Sequence, residues 1–109
     1  MIDWERVREL RAEIGADDFT EVAEMFLEEA DEAIARLGPG LSAKATEDNL
    51  HYLKGAALNL GFRTLASLCQ DGERRAASGD ASVDLAAVRA TYQTSRTAFD
   101  TGLAKAFAA

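Results

Sequence analysis

A chain of 109 residues, 48% of them hydrophobic, is long enough to bury one core, so positions 1–109 are expected to form a single domain. A formal net charge of −7 argues against nucleic acid and anionic lipid surfaces as partners. No apolar run reaches the length of a membrane span, the first residues lack a basic-then-apolar leader pattern, and the lone Cys69 excludes an internal disulfide, so a reducing, cytoplasmic setting is expected.

Alanine, leucine, glutamate and arginine dominate, β-branched residues are sparse and there is one proline, which favours helix over sheet. Asp3 is placed to cap a first short helix with Ile2, Trp4, Val7, Leu10 and Ile14 on its apolar side and Gly15 at its end. Such a helix is too short to stand alone and is expected to lie across the end of a bundle. Asp18 with Glu21 three residues on reads as a capping box. From there Phe19, Val22, Ala23, Phe26, Ala30, Ala33, Ile34 and Leu37 hold one face, and glutamates and aspartates fill much of the remainder. Met25 falls off that stripe, either as a boundary residue or as part of an exposed docking surface.

Gly38-Pro39-Gly40 breaks the chain, after which Ser42 or Thr46 can cap a third helix running to about Leu60. Gly61 suits a left-handed position at its end. A fourth helix spans about Arg63 to Ser78 with Leu65, Leu68, Cys69 and Ala76 inward, and Gly72 in that stripe signals close helix contact or a local weakness. After Gly79-Asp80, Ser82 or Asp84 can cap a long fifth helix carrying Leu85, Val88, Tyr92, Ser95, Phe99, Leu103 and Ala106, with Gly102 fraying its end. Four amphipathic helices joined by short loops pack best as an all-α, antiparallel up-down-up-down four-helix bundle, with the short N-terminal helix covering one end.

The third helix carries the chemistry. Leu50, Leu53, Ala57 and Leu60 form a stripe, and His51, the only histidine, lies about 100° round from Leu50 and about 160° from Leu53. The imidazole should therefore be exposed, or at the core's edge. Lys54 and Gly55 are its neighbours one turn on. A glycine inside a helix costs about 1 kcal/mol relative to alanine. Gly55 accordingly either permits close packing against another helix or clears the approach to the His51 ring. Leu58, about 20° from His51 on the wheel, is a candidate docking contact. Glu47 and Asp48, one turn earlier, could orient the ring, although acidic residues near a helix N-terminus also simply complement the macrodipole. Asn59 could face phosphate or solvent.

The wording His51-x-Leu53-Lys54-Gly55-Ala56-x-x, with Leu60-Gly61 beyond it, resembles the histidine-containing phosphotransfer (HPt) family. The likeness is tightest over Leu50–Leu68 and extends more weakly to Cys69, Glu73 and Arg74. It implies a phosphorelay intermediate: His51 accepts a phosphoryl group from a receiver-domain aspartyl phosphate and passes it on. Lys54 would steady the phosphoryl oxygens, Gly55 would give access, and Leu58 and Met25 would help docking. Receiver domains of response regulators and hybrid histidine kinases would be the partners of a monomeric, stand-alone carrier with no kinase activity. No cofactor or metal site is implied, and any magnesium would belong to the receiver. A non-catalytic helical adaptor using the same face is the alternative. A small hydrolase or metal-binding bundle fits less well, because one histidine and one cysteine far apart do not make a zinc site. A Cys69–His51 nucleophile pair is disfavoured by the place of Cys69 on its helix's core stripe.

Overall fold

A computed structural model describes residues 1–80 and 82–107, and its regular elements are all helices: α1 (Trp4–Ile14), α2 (Ala16–Arg36), α3 (Ala43–Leu60), α4 (Arg63–Ala77) and α5 (Leu85–Ala106). Extended pairing among the described residues is limited to one isolated bridge between Ile2 and Phe62.

The Asp3 carboxylate accepts from the Arg6 N–H at 3.2 Å and so caps α1. That bond, with the Arg63 guanidinium at 3.0 Å, holds the Asp3 carboxyl below its ordinary range. Gly15, at φ +100°, is at once the end of α1 and the N-cap of α2. The second helix therefore starts at Ala16, and the Asp18–Glu21 capping box does not mark its beginning; no side chain caps it. Asp17 and Asp18 instead sit in the first turn, where negative charge meets the positive end of the helix dipole.

The buried face of α2 is Phe19, Ala23, Leu27, Ala30 and Ala33, continued by Leu37. Leu27 joins the stripe expected from sequence, while Val22, Phe26 and Ile34 are only half-buried at its borders. The acidic side chains of α2 number eight against Arg36 alone, a balance of −7 that equals the net charge of the whole chain.

Ser42 caps α3, its Oγ accepting from the Ala45 N–H at 3.1 Å; Thr46 is buried inside the helix. Leu50, Leu53, Ala57 and Leu60 are completely buried. Each such leucine contributes roughly 1.5–3 kcal/mol of burial. Gly61 then takes φ +75°, and a Cβ there would stand 2.6 Å from the Asp3 carbonyl oxygen. The tight fit comes from the residues before α1: the Asp3 N–H donates to the Gly61 carbonyl at 2.7 Å, and the Arg63 N–H to that of Met1 at 3.1 Å.

In α4, Gly72 is buried, and a Cβ on it would lie 2.8 Å from Leu50 Cδ1 and 3.0 Å from Val83 Cγ1. Close contact, not weakness, accounts for it. Asp84 caps α5 by accepting from the Ala87 N–H at 3.0 Å. Val88, Tyr92, Ser95 and Phe99 are buried as expected, Leu103 is half-buried, and Ala106 is exposed because the apolar stripe leaves the core in the last turn. Gly102 does not fray the helix, which continues to Ala106. A Cβ at 102 would overlap the indole of Trp4, which lies stacked on Phe99 with ring centroids 6.1 Å apart.

Contacts between distant elements match opposite ends. Phe19, near the start of α2, meets Phe107 just past α5 at 5.7 Å. Arg89, near the start of α5, donates to the carbonyl of Leu37 after the end of α2. Between them the Tyr92 hydroxyl donates to Asp31 at 2.6 Å; burial first, then this acceptor, pushes the phenol up to about 12. The described residues extend 48 × 21 × 20 Å.

Candidate functional site

His51 projects from the middle of α3 with its side chain 70% exposed. The leucine stripe that anchors α3 leaves the ring on the opposite side, as the wheel requires. What the ring touches comes from the next helix. Both carboxylate oxygens of Glu73 on α4 lie 3.2 Å from His51 Nδ1. An ionised carboxylate only accepts, so this contact selects the tautomer that donates from Nδ1. Nε2 has no hydrogen-bond partner among the described residues and keeps its lone pair outward.

The same carboxylate takes Lys54, whose Nζ is 3.2 Å from Glu73 Oε1 and 3.3 Å from Oε2. The Lys54 and Glu73 side chains are each 19% exposed, far more sheltered than the ring they flank. Lys54 also lines one end of a cleft of about 360 Å³ between α3 and α4, with Leu58, Arg63 and Gln70 on its walls. The patch therefore consists of an open nucleophile, a carboxylate behind it and an ammonium beside it.

A Cβ placed on Gly55 meets nothing within 4 Å among the described residues. Close helix packing, one of the two readings of this glycine, is excluded; the space over it is open. Leu58 is 56% exposed and Met25 48% exposed, so both large apolar side chains face solvent as expected. Tyr52, next to the histidine, is 42% exposed with the Arg36 guanidinium 5.8 Å from its ring centroid, and sequence reasoning had not singled it out.

Three residues considered from sequence have other attachments. Glu47 and Asp48 pair with Lys44 at 3.7 and 3.0 Å and do not touch His51. Asn59 Oδ1 accepts from Arg6 Nη2 at 3.2 Å while its Nδ2 donates to the Gly55 carbonyl at 3.0 Å, tying α1 to α3. Cys69 is completely buried, and burial, reinforced by the nearby Glu73 charge, pushes its thiol up to about 12. A neutral, enclosed thiol is no nucleophile partner for His51. No cluster of three or more metal-binding side chains exists among the described residues.

Glu73 is the functional candidate to which sequence reasoning gave no role. A signal was present. The chain reverses at Gly61–Phe62, and His51 and Glu73 stand at similar distances on either side of it, so two packed helices of equal rise bring them level.

Comparison with protein families adds one decisive finding: the model of the Hpt domain matches residues 21–106. The chain belongs to the Hpt domain family. Comparison with curated proteins and with solved structures returns no match. Hpt domains are phosphocarriers without kinase activity and work with receiver domains in two-component phosphorelays. The match covers α3 and α4 entirely and includes His51, Lys54, Gly55 and Glu73. No helix of this Hpt domain is long and apolar enough to cross a membrane, among the described residues.

Proposed function

We propose that this Hpt domain is a phosphorelay intermediate in which His51 carries the phosphoryl group. The observation that supports this most directly is an imidazole 70% exposed whose Nδ1 is engaged by Glu73 and whose Nε2 is free. In the forward step the Nε2 lone pair attacks the phosphorus of a receiver aspartyl phosphate. The P–N bond forms, the P–O bond to the carboxyl group breaks, and its electron pair stays on the leaving carboxylate. The return step runs through the same atoms toward a second receiver. Attack requires a near-attack separation of roughly 3–3.5 Å, so the partner has to come close. The open space over Gly55 leaves room for it. Lys54, held on the same carboxylate as the His51 ring, supplies the positive charge that offsets the phosphoryl oxygens.

The 109 residues act as one domain in this reading, with α2–α5 as an antiparallel up-down-up-down bundle and α1 across one end. The contacts Phe19–Phe107, Leu37–Arg89 and His51–Glu73, together with Trp4 against Phe99, support that arrangement. Leu58 and Met25 serve as apolar docking contacts for receivers of response regulators or hybrid kinases. The domain works as a cytoplasmic monomer without a cofactor, and magnesium, where transfer needs it, resides in the receiver.

The test is incubation with phosphorylated receivers followed by detection of acid-labile label. His51→Gln should abolish the label while leaving the melting temperature nearly unchanged, because the side chain is exposed. Label persisting on the variant moves the acceptor elsewhere. Receiver binding without any label on the native protein indicates an adaptor instead.

A further inference from the structure

The geometry points to Asn59 as a positioning residue for phosphotransfer: anchored by Arg6 of α1, it clamps the Gly55 carbonyl and keeps the turn that follows His51 rigid where the glycine would loosen it. The inference rests on the reading of His51 as the carrier, and it gives a role to α1, which bears none of the reacting groups.

Asn59 is half-buried where α1 meets α3. Its Nδ2 donates to the Gly55 carbonyl at 3.0 Å, and its Oδ1 accepts from Arg6 Nη2 at 3.2 Å. These two bonds admit one orientation of the amide, because a carbonyl only accepts and a guanidinium only donates. Arg6 is itself held: its Nη1 lies 3.5 Å from Glu9 and 3.3 Å from Glu13, and its side chain is 26% exposed. One arginine of α1 thus sets the rotamer of Asn59, and Asn59 reaches back one turn to the glycine.

The glycine is where a brace matters. In an α-helix each N–H donates to the carbonyl four residues earlier, so the Gly55 N–H belongs to the His51 carbonyl and the Gly55 carbonyl to the Asn59 N–H. The Gly55 peptide is therefore the next link to His51 in the hydrogen-bond ladder. A glycine there has the widest backbone freedom and no side chain to keep water from its carbonyl. Water inserted into the ladder at such a point bends a helix. The Asn59 amide occupies the free side of that carbonyl, while the space over the glycine stays open to a receiver. Access and rigidity are thereby divided between two positions one turn apart. In-line attack is sensitive to a misplacement of about 1 Å, so a slack turn costs rate at a bound receiver more than it costs binding. Asn59 touches neither phosphorus nor the attacking nitrogen; it acts through Gly55 and His51.

Amide hydrogen exchange and single-turnover transfer from a phosphorylated receiver test this together. Asn59→Ala should speed exchange across positions 55–59 by about tenfold, as expected for the loss of one hydrogen bond. It should slow transfer at saturating receiver by about fivefold, with little change in the receiver concentration needed. Asn59→Asp still accepts from Arg6 but cannot donate to the carbonyl. It should therefore keep the tie to α1 and the melting temperature and yet show both defects, and it carries the test if the alanine variant folds poorly. Gly55→Ala restricts the backbone by itself, so adding Asn59→Ala to it should change exchange and rate by less than about twofold from that parent. Native exchange and native rate in Asn59→Asp overturn the proposal. So does an Asn59→Ala defect of full size in the Gly55→Ala background, which leaves Asn59 as a tie between helices only. A native protein that never labels removes the carrier reading instead, and the exchange measurements then still decide whether Asn59 braces Gly55.

Discussion

A Cβ built on Gly55 meets no atom of the described residues within 4 Å, whereas one built on Gly102 runs into the indole of Trp4 and one on Gly72 into Leu50 and Val83. All three glycines sit inside helices, where each costs about 1 kcal/mol relative to alanine. The cost is offset in two different ways. At the seams where α1 meets α5 and where α4 meets α3, the missing side chain is replaced by the protein's own atoms, so the glycine serves the core. On the His51 face none of the described residues fills the gap. The difference teaches that a helical glycine cannot be interpreted from its own helix: only the occupant of the vacated space, or its absence, distinguishes packing from access.

The comparison can be broken most sharply at Gly55. Gly55→Gln should lower phosphotransfer by about a hundredfold, the order of loss expected when reacting groups are held out of line. Glutamine is a good helix former and the site is open, so the melting temperature should hold. A well-folded glutamine variant transferring at the native rate would end the access argument.

Gly102→Ala probes the opposite case and should destabilise the fold by about 2–3 kcal/mol in denaturant titrations, through overpacking against Trp4. In a double-mutant cycle, shortening Trp4 to leucine should recover part of that loss, since the two residues share one space. Strict additivity would place the strain elsewhere.

Gly72→Ala should cost less, about 1–2 kcal/mol, because the atoms in the way are the tips of Leu50 and Val83 side chains, which can shift by fractions of an ångström. A cost equal to that at Gly102 would mean that these tips cannot give.

The smallest effect has the reverse sign. Gly55→Ala should stabilise the protein by about 0.5–1 kcal/mol, since it restricts the unfolded chain and meets no neighbour. Thermal melts of the three alanine variants side by side should thus order as 55 above native, then 72, then 102. Any destabilisation at 55 would erase the contrast between the two regions.

Much of this arrangement was legible from local patterns. The cap at Asp3, the break at Gly38-Pro39-Gly40, the left-handed end at Gly61 and the burial of Leu50, Leu53, Ala57 and Leu60 depend on nearest neighbours and helical period, both of which a sequence carries directly. So did the exposure of His51, Met25 and Leu58, which is the complement of the same stripes. The start of α2 was less legible: Gly15 joins two helices without a loop, and an Asp–x–x–Glu pair that begins in the first turn imitates a cap. Which side chain from a second helix reaches the ring, and whether a glycine faces a neighbour or open space, were decided only in three dimensions. Glu73 at 3.2 Å from His51 Nδ1, and Trp4 over Gly102, depend on the rotation and axial register of one helix against another. Those are set by the summed packing of many residues, and shifting a helix by one residue turns its face by about 100° and replaces every partner.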